Sequence, residues 1–344
     1  MLAPLGILYG AVMKTRRVLY QRGLFAVHDL GVPVISVGNI TTGGTGKTPL
    51  VEWIANEAAS PSRRVCILTR GYGRLNPAER VMVSDGTEIL ADAEQGGDEA
   101  LLLAEQLRGR AAVISDADRA GAARWAIANL QSDLLILDDG FQHLRVARNL
   151  DIVTIDAMNP AGNRRLLPAG ILRERFSEVA RADCVVITRA DLAANIENLE
   201  KKVVSIADGC PIFRSRMKTS QLRSVNSSNG GAAGSNDAIK TRPAAAFCAV
   251  GNPASFFAQL RRDGYRLCHT RAFRDHHYFR QSDIDQFARE AGAHGAEAIL
   301  TTAKDEVKLR KIRFELPCYV NDISIEIDDP AKLRDLLKQA IGIA

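Results

Sequence analysis

Between residues 34 and 56 the chain passes from a short apolar run, Val34-Ile35-Ser36-Val37, into Gly38-Asn39-Ile40-Thr41-Thr42-Gly43-Gly44-Thr45-Gly46-Lys47-Thr48. A helical pattern follows from about Pro49 to Ala55. A strand, a glycine-rich turn and a helix in that order make a phosphate cradle. Gly43, Gly44 and Gly46 let the backbone turn tightly enough for its N–H groups to converge on phosphate oxygens, and the helix N-terminus adds a favourable dipole. With Thr41, Thr42 and Thr45 completing the loop, Lys47 is placed to reach the β and γ phosphates of a nucleotide, and the Thr48 hydroxyl to ligate Mg²⁺. The spacing departs from Gly-x4-Gly-Lys-Ser/Thr at one point, because Thr41 stands where the first glycine belongs.

A second apolar run, Leu134-Leu135-Ile136-Leu137, delivers two carboxylates, Asp138 and Asp139, at its end. A buried strand ending in acids suits a nucleotide site, where one carboxylate holds Mg²⁺ directly or through water; an Asp-Asp-Gly sequence also simply turns a chain. Phosphoryl transfer further needs a base for the acceptor's proton. Asp98, in Gly96-Gly97-Asp98-Glu99 at the start of a helix running to about Arg108, offers either a base or an N-cap. The cluster Phe273-Arg274-Asp275-His276-His277-Tyr278-Phe279 offers an acid beside imidazoles. Arg70, Arg119, Arg173 and Arg175 lie in or beside loops near expected strand ends, where guanidinium forks suit phosphate.

These residues need a scaffold that gathers them. Apolar runs Val65–Thr69, Ala111–Ser115, Leu134–Asp138, Asp151–Asp156 and Cys184–Thr188 alternate with helical patterns, which implies a parallel sheet covered by helices on both faces. Ligands in such sheets bind beyond the strands' C-terminal ends, where Arg70, Asp138, Asp139 and Thr188-Arg189-Ala190-Asp191 cluster. The polar stretch 226–236 is expected to be a mobile surface loop. After it come a strand over 245–250, helices over 253–263 and 282–293, strands over 298–302 and 323–327 and a closing helix from Pro330. That rhythm reads as a second, smaller α/β unit. The expected domains are therefore a basic N-terminal helix over 1–28, a nucleotide-binding domain over 29–215 and the smaller unit over 216–344.

The chain has 344 residues, 46% hydrophobic and 25% charged, and a net charge of +5, which suits a globular protein of two domains with no dense basic block of the kind that binds nucleic acid. Six scattered cysteines with no close pair point to buried thiols in a reducing cytoplasm rather than a metal site or disulfide framework. No apolar run is long enough to span a bilayer. The first 28 residues nonetheless put Leu5, Leu8, Tyr9, Val12 and Leu19 on one helical face and add Lys14, Arg16, Arg17 and Arg22. Such a helix either lies on an anionic lipid surface or docks its apolar face on the protein's own core, and Arg16 on that face suits neither cleanly.

Taken together, Thr41 to Pro49, Arg70-Gly71-Tyr72-Gly73, Gly97-Asp98-Glu99, Asp138-Asp139-Gly140-Phe141-Gln142-His143, Leu167-Pro168-Ala169-Gly170 with Leu172-Arg173-Glu174, and Asp275-His276-His277 resemble the tetraacyldisaccharide 4'-kinase (lipid A 4'-kinase) family over nearly the whole chain. The resemblance implies transfer of the ATP γ-phosphate to the 4'-hydroxyl of an acylated glucosamine disaccharide 1-phosphate. It places the protein peripherally on the cytoplasmic face of the inner membrane, with the N-terminal helix against the anionic surface. It also implies a P-loop kinase-like domain joined by a hinge to a smaller α/β domain. By position in the motifs, Lys47 and Thr48 take the phosphate and magnesium roles, Asp138 and Asp139 assist the metal, and Asp98 acts as base with His276 or His277 as partner. Arg119 and Arg173 become contacts to substrate or transition-state phosphate. The rival reading is a P-loop GTPase or ATPase acting as a switch or assembly factor at the membrane, with Thr188-Arg189-Ala190-Asp191 as an imperfect guanine-reading element.

Overall fold

The computed structural model describes residues 2–225 and 239–342, so the stretch 226–236, expected to be a mobile loop, lies outside the described residues. The chain divides into two compact units, one made of Met1–Arg216 with Ile327–Ala344 and the other of Met217–Glu326. The C-terminal helix, assigned to the smaller unit on sequence pattern, thus belongs to the larger. There the Arg334 guanidinium pairs with Glu57 at 2.8 Å and lies over the Trp53 ring.

The first unit is built on β1 (Val34–Asn39), β2 (Val65–Thr69), β3 (Val81–Ser84), β4 (Ala111–Ser115), β5 (Leu134–Asp138), β6 (Leu150–Asp156), β7 (Cys184–Thr188) and the start of β8 (Ile212–Ser224). They lie in the order β8-β7-β6-β1-β5-β2-β4-β3, and only the edge strand β3 runs antiparallel, against β4. Every residue of β1, β2 and β4 to β7 is buried. Successive strand residues point to opposite faces, so both faces are covered. Around the sheet run α2 (Lys47–Ala58), the single turn α3 (Ala93–Gly96), α4 (Asp98–Gln106), α5 (Arg119–Leu130) and α6 (Ile196–Val204). One core cluster packs Leu135 and Leu137 against Ala120, Ala123 and Ala126 of α5; another packs Phe141, Val153 and Val185 against Leu199 and Val203 of α6. The expectation of a mostly parallel α/β sheet with helices is borne out.

The N-terminal helix α1 (Ala3–Gln21) docks by a different face from the apolar one. Its buried residues are Gly6 and Gly10. A Cβ on Gly6 would lie 3.2 Å from the Leu166 carbonyl oxygen, and one on Gly10 2.5 Å from Leu166 Cδ1. The absent side chains thus let the helix backbone settle on the 166–169 segment. Leu5, Ile7, Leu8 and Val12 are left exposed, so the apolar face is not spent on the protein's own core. Among the described residues no helix is long and apolar enough to cross a membrane.

In the second unit β9 (Pro243–Cys248), β10 (Arg266–Ala272), β11 (Ala298–Thr302) and β12 (Cys318–Ile327) lie in the order β10-β9-β11-β12, all parallel. With them go α7 (Pro253–Arg262), α8 (Gln281–Ala293) and the single turn α9 (Ala303–Glu306); α10 (Pro330–Ala340) closes the chain. Phe247 sits edge-on to Phe273, Phe279 and Phe287, the last at 5.2 Å. All six cysteines are free, and Cys66, Cys184, Cys248 and Cys318 are buried. Burial pushes the Cys66 thiol up to about 12 and raises the other three as well.

Candidate active site

Parallel pairing of β1 with β5 sets Val37 beside Asp138, so the glycine loop that leaves β1 and the acids that end β5 emerge at one edge of the first unit's sheet. The loop turns where Gly43 and Gly46 adopt φ of 100° and 78°, values that L side chains resist. Lys47 is the first residue of α2, with Gly46 as its N-cap. The loop is fixed from beneath by buried polar side chains. Asn39 Nδ2 donates to Thr45 Oγ1 at 3.0 Å, and Thr45 Oγ1 meets Thr154 Oγ1 at 2.9 Å. Thr188 Oγ1 donates to the Thr45 carbonyl at 2.8 Å, and the Arg189 guanidinium to the Gly44 carbonyl at 2.6 Å while it pairs with Asp156 at 2.9 Å. With the Gly44 and Thr45 carbonyls engaged by Arg189 and Thr188, the loop is fixed in a conformation whose N–H groups suit an anion. Thr41, in place of the usual glycine, is buried and bridges to Leu172, so the loop opens from a short sheet-like pairing.

Asp139 takes a left-handed backbone, φ 57°, which turns its carboxylate between two cations. Lys47 Nζ lies 3.4 Å from Oδ1 and Arg173 NH1 2.6 Å from Oδ2. Burial works against ionisation here, but Lys47 and Arg173 prevail and hold the Asp139 carboxyl well below the usual carboxylate range. Asp138 goes the other way: burial, reinforced by Glu99, raises it, although Thr69 Oγ1 donates to its Oδ2 at 2.9 Å. The turn that follows is sterically specified. A Cβ on Gly140 would meet Ser36 Oγ at 2.5 Å, and one on Gly38 would meet Phe141 at the same distance. Gln142, which the sequence reading did not single out as a site residue, donates from Nε2 to the Asn39 carbonyl at 2.9 Å and so ties the acid loop to the base of the phosphate loop.

Asp98 is buried at the start of α4. Gly97 is the N-cap, so the capping alternative for Asp98 falls away; its Oδ1 accepts from the Glu99 N–H at 2.9 Å. Gly97 at φ 95° and Gly71 at φ 66° meet backbone to backbone, since a Cβ on Gly97 would lie 2.9 Å from Gly71 Cα. Ser115 Oγ donates to the Gly96 carbonyl at 2.5 Å. The paired glycines of the two motifs thus seat the first turn of α4 against the ends of β2 and β4.

The arginines separate. Arg173 reaches Asp139. Arg119 is buried and donates to the Asp116 and Asp138 carbonyls; burial pushes it down to about 10, so it is a fixed cation whose donors go to backbone. Arg70 donates to the Tyr72 hydroxyl at 3.1 Å, and Arg175 is exposed. The Thr188-Arg189 element, read as a rival guanine reader, is occupied with holding the phosphate loop.

In the second unit, His277 is engaged locally: Nε2 is 3.0 Å from Asp283 Oδ2 and the ring stacks on Phe273. His276 stands at φ 60°, with Nε2 3.8 Å from Asp275 Oδ2, while Lys304 Nζ lies 3.2 Å from Asp275 Oδ1.

The family model for tetraacyldisaccharide-1-P 4'-kinase matches residues 1–342. The chain belongs to that family. Tetraacyldisaccharide 4'-kinases from Desulfotalea psychrophila and Pelobacter propionicus are 40% and 37% identical to it. The first match covers 92% of this chain and 89% of the relative, the second 99% and 92%. The crystal structure of "apo" form LpxK from Aquifex aeolicus in complex with ATP matches with a TM-score of 0.78 at 30% identity, over 99% of this chain and 98% of that one. The chain is thus a P-loop kinase of the tetraacyldisaccharide 4'-kinase type, and the switch GTPase reading is not favoured.

Proposed function

We propose that the residues at the C-terminal edge of the first sheet carry ATP-dependent 4'-phosphorylation of an acylated glucosamine disaccharide 1-phosphate, the family's step in lipid A biosynthesis. The observation that carries the assignment is the Lys47–Asp139–Arg173 cluster beside the glycine loop. Two cations meet on one buried carboxylate at the point where a helix N-terminus begins, which is the charge arrangement a triphosphate needs. Gly43 to Gly46 supply backbone N–H groups, since Thr42 donates its own to the Ile171 carbonyl at 2.7 Å and Thr41 bridges to Leu172, and Lys47 neutralises charge on the β and γ phosphates.

The residues also suit Mg²⁺. Asp139 Oδ1 is buried, with the Lys47 ammonium 3.4 Å away as a long ion pair that leaves room for further coordination, and Thr48 lies in the first turn of α2. Among the described residues there is no cluster of three or more acidic, His or Cys ligands, as expected for an ion that takes one or two carboxylates and completes its shell with water and phosphate oxygens. Thr48, Asp138 and Asp139 would hold it, and when bound it would neutralise charge on the β and γ phosphates.

In the transfer, the 4'-hydroxyl oxygen forms its bond to the γ-phosphorus, the bond to the β,γ-bridging oxygen breaks, and the hydroxyl proton passes to Asp98. Arg173 supplies a second positive charge to the moving phosphoryl group, and Arg119 a buried one behind Asp138. His276, which directly follows Asp275, is the histidine that the family motif favours, and His277 is held within its own unit by Asp283 and Phe273. The exposed Leu5, Ile7, Leu8 and Val12 of α1, with Lys14 and Arg22, support attachment to an anionic surface, the surface proposed being the cytoplasmic face of the inner membrane. The deciding assay follows γ-phosphate from ATP into tetraacyldisaccharide 1-phosphate beside a control without lipid. ATP hydrolysis that proceeds equally without lipid would overturn the kinase assignment.

A further inference from the structure

Arg16 lies on the amphipathic helix but does not behave as a lipid-facing charge. It is half-buried, and its guanidinium donates to the main-chain carbonyl of Gln142 at 3.0 Å. Gln142 sits three residues beyond Asp139 and makes two further contacts into the site. Its Nε2 donates to the Asn39 carbonyl, and its Oε1 lies 3.5 Å from the Arg173 nitrogen that grips Asp139. The same loop is held again just after the helix, where the His28 N–H donates to the Arg145 carbonyl at 2.7 Å and the Ala147 N–H to the His28 carbonyl at 2.9 Å. Neighbouring residues complete the seat: Gly6 and Gly10 bring the helix backbone onto the 166–169 segment, and Arg17 pairs with Glu178.

We infer that Arg16 is a positioning residue that fixes the acid loop through the Gln142 carbonyl, so that seating of the N-terminal helix is required for phosphoryl transfer itself and not only for attachment to lipid. The inference rests on the assignment of Lys47, Asp139 and Arg173 to the triphosphate site. A guanidinium on a carbonyl is a charge-assisted bond, and it is made by a helix whose opposite face is free to meet a membrane. Movement of the helix and the geometry at Asp139 are therefore linked by one side chain.

The test compares Arg16→Ala with Arg124→Ala, which removes the same charge from an exposed position on α5, and with Arg16→Lys, which keeps a donor. Rates are measured with lipid substrate dispersed in detergent micelles, so that membrane recruitment does not enter, and each variant is also sedimented with anionic vesicles. Arg16→Ala is expected to lose about tenfold in kcat with little change in KM for the lipid, the pattern of an interaction felt in the transition state. Arg16→Lys should recover much of that loss, Arg124→Ala should keep the wild-type kcat, and the two alanine variants should sediment like the wild type. A wild-type kcat for Arg16→Ala in micelles, or an equal loss in Arg124→Ala, would overturn the inference. Absence of lipid-dependent transfer by the wild-type enzyme would instead remove the site assignment beneath it. If Arg16→Ala proves unstable by circular dichroism, Arg16→Lys decides alone: a kcat as low as that of an α1 deletion, in a protein that melts like the wild type, would exclude the carbonyl contact as the cause.

Discussion

Lys47 and Asp98 carry much of the proposed chemistry, and each fails in its own way. Lys47→Ala leaves the Asp139 carboxylate with Arg173 alone and removes the cation at the start of α2; turnover should fall by about two orders of magnitude or more. Asp98→Ala removes the proton acceptor and should cost a similar factor. Initial rates with ATP and lipid measure both, and a near-normal rate in the Asp98 variant would dismiss it as the base. His143 makes a prediction about stability instead. Burial, followed by the charge of Arg119, pushes its imidazole down to about 3 from an ordinary 6.5. Between those values the unfolded chain binds a proton that the native state refuses, so stability is full above 6.5 and declines as pH falls through the window. Urea titrations at pH 7, 5.5 and 4.5 should show a shallower acid decline in His143→Gln than in the wild type.

At the scale of elements, close backbone approach does the positioning. Gly97→Ala puts a Cβ at positive φ and 2.9 Å from Gly71 Cα. The variant should lose about 1–3 kcal/mol of stability and much of its activity, because the first turn of α4 carries Asp98. Denaturant unfolding alongside rate measurement separates the two effects. This is also where reading the chain alone succeeds and stops. The buried strands β2, β4, β5, β7 and β11 end where their apolar runs end, since burial on two faces demands uninterrupted β-branched and aliphatic residues. Asp138, Asp139 and Lys47 were legible because strand, turn and helix fix where such motifs emerge. The half-exposed β8 and β10 escaped notice: Arg-Ser-Arg-Met-Lys-Thr within one and Arg-Leu-Cys-His-Thr-Arg in the other have no apolar run to announce them. The tether of Arg189 to Gly44 joins residues 145 positions apart, and nothing in local spacing encodes such a pairing. On α1 the helical period is legible, but the docking face is not: Gly6 and Gly10 carry no apolar side chain to announce it, and they meet the 166–169 backbone closely because they lack one.

For the molecule as a whole, nucleotide binding should register as stability. At a hundredfold excess over Kd, MgATP adds about 2.7 kcal/mol to a state that binds it and nothing to the unfolded chain. A calorimetric scan should therefore shift upward with MgATP, and the shift should shrink with EDTA present and vanish in Lys47→Ala. Deletion of residues 1–25 should weaken sedimentation with anionic vesicles; unchanged sedimentation would rule out α1 as the anchor. The four buried thiols supply a finer instrument. Cys66 and Cys184 belong to one compact unit and Cys248 and Cys318 to the other, and each is shielded from alkylation until its surroundings open. Timed exposure to iodoacetamide followed by peptide mass spectrometry would clock the breathing of each half separately. A nucleotide that grips only the first half should delay labelling at Cys66 and Cys184 more than at the other pair, so the chain comes with its own unfolding chronometers already installed.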